Sequence, residues 1–124
     1  MAYLNDLAFD SGLAWVTANG SRIDICSSEP STYSEATTTY TLGNKTGLTV
    51  GAAEDGDTDG RKVVVPAFSG GTVTATGTAA YWALTDGAGI LLATRALAAT
   101  QPVTAGNTFN LGALDITIRD ATAV

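Results

Sequence analysis

The stretch Phe109-Asn110-Leu111-Gly112-Ala113-Leu114-Asp115-Ile116-Thr117-Ile118-Arg119 decides the fold class. Leu114, Ile116 and Ile118 alternate with Asp115, Thr117 and Arg119, the period of two that puts one apolar and one polar face on an extended strand. Phe109 and Leu111 begin an earlier strand, and Gly112-Ala113 between the two reads as a bulge or bend.

The same reading extends backwards. Residues 79–85 alternate Ala80, Trp82 and Leu84 with Tyr81 and Ala83. Asp86-Gly87-Ala88-Gly89 then makes a turn, and residues 90–97 return as the partner of a hairpin. Residues 72–76 alternate Val73 and Ala75 with threonines, and residues 61–68 hold the β-branched run Val63-Val64-Val65. A loop is expected around Pro102. Glycines cut everything after Leu42 into short pieces, the pattern of a sandwich or barrel.

Nearer the start, Ile23 and Ile25 alternate with Arg22, Asp24 and Cys26, a strand that ends at Ser27-Ser28-Glu29-Pro30. Residues 31–41 read as an ordered polar loop carrying Tyr33 and Tyr40. Residues 3–18 differ, because Leu4, Leu7, Ala8, Ser11, Trp15 and Ala18 fall at steps of three and four and make a helical stripe. Asn5 or Asp6 would cap its start and Asn19-Gly20 its end. The competing reading is a hairpin through Asn19-Gly20, with residues 13–17 as a strand. The helix is preferred, although Gly12 costs it about 1 kcal/mol. The expected architecture is one mainly β domain over residues 1–124, an antiparallel β-sandwich of Ig-like or jelly-roll-like type, with a helical segment over residues 1–19.

The 124 residues are 45% hydrophobic and only 15% charged, with a net charge of −6. That balance supports a real core and argues against nucleic acid, whose phosphates call for a basic patch. The six basic residues are scattered. Cys26 is the one cysteine, so an intrachain disulfide is impossible. Residues 1–12 lack a basic n-region and an apolar h-region, and no run of 18 apolar residues exists; neither Sec export nor a membrane span is expected.

With no histidine, the commonest general base and the Ser-His and Cys-His pairs are missing. Two carboxylates would suffice for a glycosidase. Asp24, Asp86, Asp115 and Asp120 are nevertheless expected on outer strand faces or in turns, where solvation accounts for them. Asp55, Asp57, Asp59 and Gly60 match the first half of an EF-hand loop, but the twelfth position is Pro66, which offers no carboxylate. These three aspartates are weak metal candidates beside the simpler reading of a solvated acidic turn. Cys26 reads as a small buried hydrophobe, and Trp15, Tyr81, Trp82 and Phe109 as core or sheet-face aromatics. Gly70-Gly71 and Gly87-Ala88-Gly89 are turns, since neither is followed by the helix that phosphate binding needs.

Several stretches taken together resemble small structural proteins of tailed bacteriophages: Ala2-Tyr3-Leu4-Asn5-Asp6-Leu7, Ile23-Asp24-Ile25-Cys26-Ser27-Ser28-Glu29-Pro30, Gly60-Arg61-Lys62-Val63, Gly77-Thr78-Ala79-Ala80-Tyr81-Trp82-Ala83-Leu84 and Thr104-Ala105-Gly106-Asn107-Thr108. The resemblance implies a non-enzymatic head decoration or capsid-stabilising protein. Such a protein has no cofactor, binds the major capsid protein and copies of itself as a homotrimer, sits on the virion head surface, and is made in the host cytoplasm. Tyr3, Leu4, Leu7, Phe9, Tyr33 and Tyr40 are the expected contact residues, since neither residues 2–9 nor residues 28–40 have an obvious place inside a strand-built core. A tail or fibre component that binds a carbohydrate or receptor is the alternative, and a small enzyme is a more distant one.

Overall fold

The computed structural model of the protein describes residues 6–56 and 60–118. Nine strands follow one helix among them: α1 (Asp6–Asn19), β1 (Arg22–Cys26), β2 (Thr41–Lys45), β3 (Glu54–Asp55), β4 (Arg61–Val65), β5 (Phe68–Val73), β6 (Gly77–Thr85), β7 (Leu91–Val103), β8 (Thr108–Leu111) and β9 (Leu114–Ile118). They form a six-stranded sheet in the order β7-β6-β1-β2-β5-β8 and a three-stranded sheet in the order β3-β4-β9, with every pairing antiparallel. The expected mainly β, sandwich-like fold with a short N-terminal helix is the observed one.

Alternation in the sequence becomes the division between faces. Ile23, Trp82 and Leu84 of the large sheet meet Val63 and Val65 of the small one in a shared buried cluster, with Leu114, Ile116 and Ile118 packed against it. The pairing of Val63 with Ile116 and Val65 with Leu114 holds both small-sheet strands in one inward register. A second cluster holds Ile25, Leu42, Val73, Ala79 and Phe109, where Phe109 stands edge-on to Phe68 at 5.9 Å between ring centres. The bend expected at Gly112-Ala113 carries the chain from β8 in the large sheet to β9 in the small one.

The helix reading of the first segment holds, and the hairpin through Asn19-Gly20 does not form. Leu13 of α1 is buried in the core with Val16 beside it, and the Thr17 hydroxyl donates to the Gly51 carbonyl at 2.8 Å. Gly20 closes the helix by donating its N–H to the Val16 carbonyl. A Cβ at Gly20 would stand 2.9 Å from that carbonyl oxygen and 3.1 Å from Leu84, so close packing, not a left-handed cap, selects glycine here.

Four local expectations are corrected. Trp15, expected as a core or sheet-face aromatic, stands on α1 and is 48% exposed, because the face of α1 that carries Leu13 and Val16 is the one turned inward. The strand expected over residues 72–76 lies earlier, at Phe68–Val73, since Gly70 takes a positive φ of 77° within a bulged pairing to β8. Pro102 sits inside β7 opposite Thr78, which an edge strand tolerates because one side of its backbone needs no donor. The loop at residues 31–41 contains a π-helical turn, Glu35–Thr39, started by the Thr32 hydroxyl accepting the Glu35 N–H.

Candidate functional site

The outer face of the large sheet carries a buried polar cluster beneath residues 27–40. Asp24 is fully buried, which corrects its expected place on a solvated strand face. Its Oδ1 accepts from Arg22 Nε at 2.8 Å, and its Oδ2 accepts from Arg22 Nη2 at 3.0 Å and from the Thr41 hydroxyl at 2.7 Å. Arg22 is pushed above its ordinary pKa, first by the hydrogen bond to Asp24, with the nearby Tyr33 adding to the effect. The two-toothed contact within one strand, locked by a hydroxyl from β2, ties β1 to its neighbour. It is architecture, saturated with donors.

Beside it, Cys26, Ala36 and Ala83 form a third apolar cluster, with Tyr40, Tyr81 and Leu91 packed against it. Residues 27–40 therefore cover a patch of sheet that would otherwise face water. The Cys26 thiol donates to the Ala36 carbonyl at 3.6 Å, and burial, aided by the charge of Asp24, pushes its pKa up to about 12. A nucleophilic thiolate is thereby suppressed. The expected result is that iodoacetamide at pH 8 alkylates Cys26 in urea within minutes and leaves it at least a hundredfold slower in native protein. Rapid native alkylation would show that residues 27–40 open readily.

Asp86, Asp115 and Asp55 also have structural partners. The Asp86 carboxylate accepts the N–H groups of Ala88, Gly89 and Ile90 at 2.8, 2.9 and 3.0 Å, and these bonds, Ile90 first, hold its pKa below the usual range. This shapes the β6-β7 turn together with Gly87 at φ 75°. Asp115 on β9 pairs with Lys62 on β4 at 3.2 Å. Asp55 pairs with Arg61 at 2.6 Å; Asp57, Asp59 and Asp120 lie outside the described residues. Among the described residues no three histidine, cysteine or acidic side chains come together as a metal site, and no helix is long and apolar enough to cross a membrane.

Of the expected contact residues, Tyr33 and Tyr40 are half-buried, with Tyr40 engaged in the Cys26 cluster. Leu7 and Phe9 fall in the first turns of α1, with their contacts outside the described residues, as Tyr3 and Leu4 are altogether. The structure brings forward two surface groups that the sequence reading missed. Trp15 on α1 and Ile90 at the β6-β7 turn are the large exposed hydrophobics among the described residues, at 48% and 46%. Trp15 was hidden by its place on the apolar stripe, though its spacing of two from Leu13 put it on another side of the helix.

An open seam runs between β7 and the β8-β9 segment. One compartment, about 600 Å³, lies between residues 97–104 and residues 107–114. Two smaller ones, about 340 and 240 Å³, continue it past Trp82 and Arg95 to Asp115 and Thr117. Comparisons with family models, curated proteins and solved structures found no match for the chain.

Proposed function

We propose that this protein is a structural component of a tailed-phage virion, a decoration protein that binds the outer surface of the head and stabilises it through contacts with the major capsid protein and with copies of itself. The observation that carries this reading is the half-exposed Trp15 on α1. A tryptophan held in the open on a helix anchored by Leu13 is the kind of rigid aromatic anchor that dominates protein interfaces. It stands on the same helix as Leu7 and Phe9 and leads back towards Tyr3 and Leu4, so the resemblance and the exposed anchor point to one end of the chain. The net charge of −6 suits an outer surface away from packaged DNA. Asp24, Asp55, Asp86 and Asp115 are each held by structural partners, which fits a protein that works by binding.

Bound copies would stabilise the shell by linkage, each adding its binding free energy to the assembled state. Trp15→Ser should lower co-sedimentation of the purified protein with undecorated heads at least tenfold, the loss of a central aromatic anchor. The midpoint of thermal unfolding should stay within about 2 °C, since a surface change away from the core costs little. On a gel of purified particles the protein should approach the abundance of the major capsid protein. A scarce band that travels with tails would favour a tail or fibre role instead, and undiminished head binding by the variant would remove α1 from the contact.

A further inference from the structure

The large sheet outgrows the small one. It has six strands against three, and β7 at its edge is paired only with β6 among the described residues. The consequence shows at Arg95. It stands opposite Trp82, a core residue 4% exposed, and so belongs to the inward face of the sheet, yet Arg95 is exposed. Among the described residues no strand of the small sheet covers it. The seam there is walled by Ala93, Arg95 and Leu97 on one side and by Leu114 and Ile116 on the other, with Trp82 between.

Its charge is one-sided. Asp115 across the seam is held by Lys62 at 3.2 Å, whereas Arg95 makes no ion pair with any described residue. The backbone edge is limited as well. Residues 97–100 stand opposite the single Ala80, a bulge that bends β7, and Pro102 lacks an N–H. The regular part, Ala93 to Ala96 opposite Leu84 to Tyr81, is where an added strand could run.

The geometry points to strand addition at this seam. An extended segment of a partner protein pairs with β7 along residues 93–96, lays alternate apolar side chains over Trp82 and Leu114, and sets a carboxylate against Arg95. Main-chain hydrogen bonds supply most of the attraction, and Arg95 selects an acidic segment over a neutral or basic one. This surface is separate from Trp15 and does not depend on the virion reading.

The probe is a blocked seven-residue peptide of alternating threonine and valine, threonine at both ends, with glutamate replacing the central valine so that it shares the valine face, compared with versions carrying glutamine or lysine there. Amide hydrogen exchange of the full chain is followed at millimolar peptide. The glutamate peptide should slow exchange at residues 93–96 and bind about fivefold more tightly than the lysine peptide, the scale of one exposed ion pair. Arg95→Glu, which keeps the circular dichroism spectrum, should reverse that order. Equal slowing by all three peptides, or none by any, would overturn the proposal. So would protection already present in the free protein that disappears on deleting residues 119–124, or that grows with concentration as a dimer forms, because the occupant would then be the chain's own tail or a second copy.

Discussion

Asp24→Ala will lower the free energy of unfolding by about 3 kcal/mol, because it leaves a guanidinium stranded where water reaches it poorly. The carboxylate is fully buried and takes three hydrogen bonds, two from Arg22 and one from Thr41. Thr41 keeps a second acceptor in the Gly43 carbonyl at 3.2 Å, so the orphan is Arg22. Its side chain retains 22% exposure, which lets it rehydrate in part and places the loss at the low end of what a broken buried pair costs. The urea midpoint should fall at an unchanged m-value, and the thermal midpoint by roughly 10 °C. Replacing both partners, Arg22→Met with Asp24→Leu, should recover part of the loss by removing the stranded charge. A single-variant loss below about 1 kcal/mol would mean that residues 27–40 admit water to the pair.

Gly43→Ala should be as damaging for a different reason. A Cβ there would stand 2.5 Å from the Thr72 carbonyl oxygen and 3.0 Å from Val73 Cα, both backbone atoms of β5 that cannot rotate aside, and 3.2 Å from the Phe109 ring. The β2-β5 ladder pairs Gly43 with Val73 and Asn44 with Thr72, the N–H groups of Thr74 and Ala75 donate to the Leu42 carbonyl beside it, and among the described residues β5 and β8 are joined to the rest of the large sheet through this ladder. Forcing the two backbones apart is overpacking at a seam with few pairs to spare, at about 3 kcal/mol. Gly89→Ala is the control. It meets nothing within 4 Å and its φ is not positive, so it should change stability by less than about 0.5 kcal/mol. Equal losses from the two substitutions would remove the steric account, since the entropy term of glycine to alanine is stabilising at both sites.

Periodicity made the strands legible, and where it failed the reason is physical. The alternation at Leu114, Ile116 and Ile118 and at Trp82 and Leu84 survives intact because each strand has one face on the core. Asp24 was misplaced because strict alternation assigns it to an outer face, which it occupies, without revealing that residues 27–40 would cover that face. Covering a sheet is a tertiary event, which local alternation does not report. Pro102 reads as a loop locally but is accommodated by the edge position of β7, which sequence order does not disclose. Asp55, read as part of a solvated acidic turn, lies instead in strand β3, where the β3-β4 register brings it to Arg61; Asp57 and Asp59 lie outside the described residues. The seam at Arg95 could not be foreseen, because it depends on how many strands each layer receives.

The small sheet joins Lys62 to Asp115, partners 53 residues apart, across a chain that meanwhile builds most of the other layer. On a ribosome, β4 must therefore wait with one edge unpaired until β9 has emerged. Closing such a distant ladder is slow, and the interval is when this polypeptide is most open to misassociation with its neighbours.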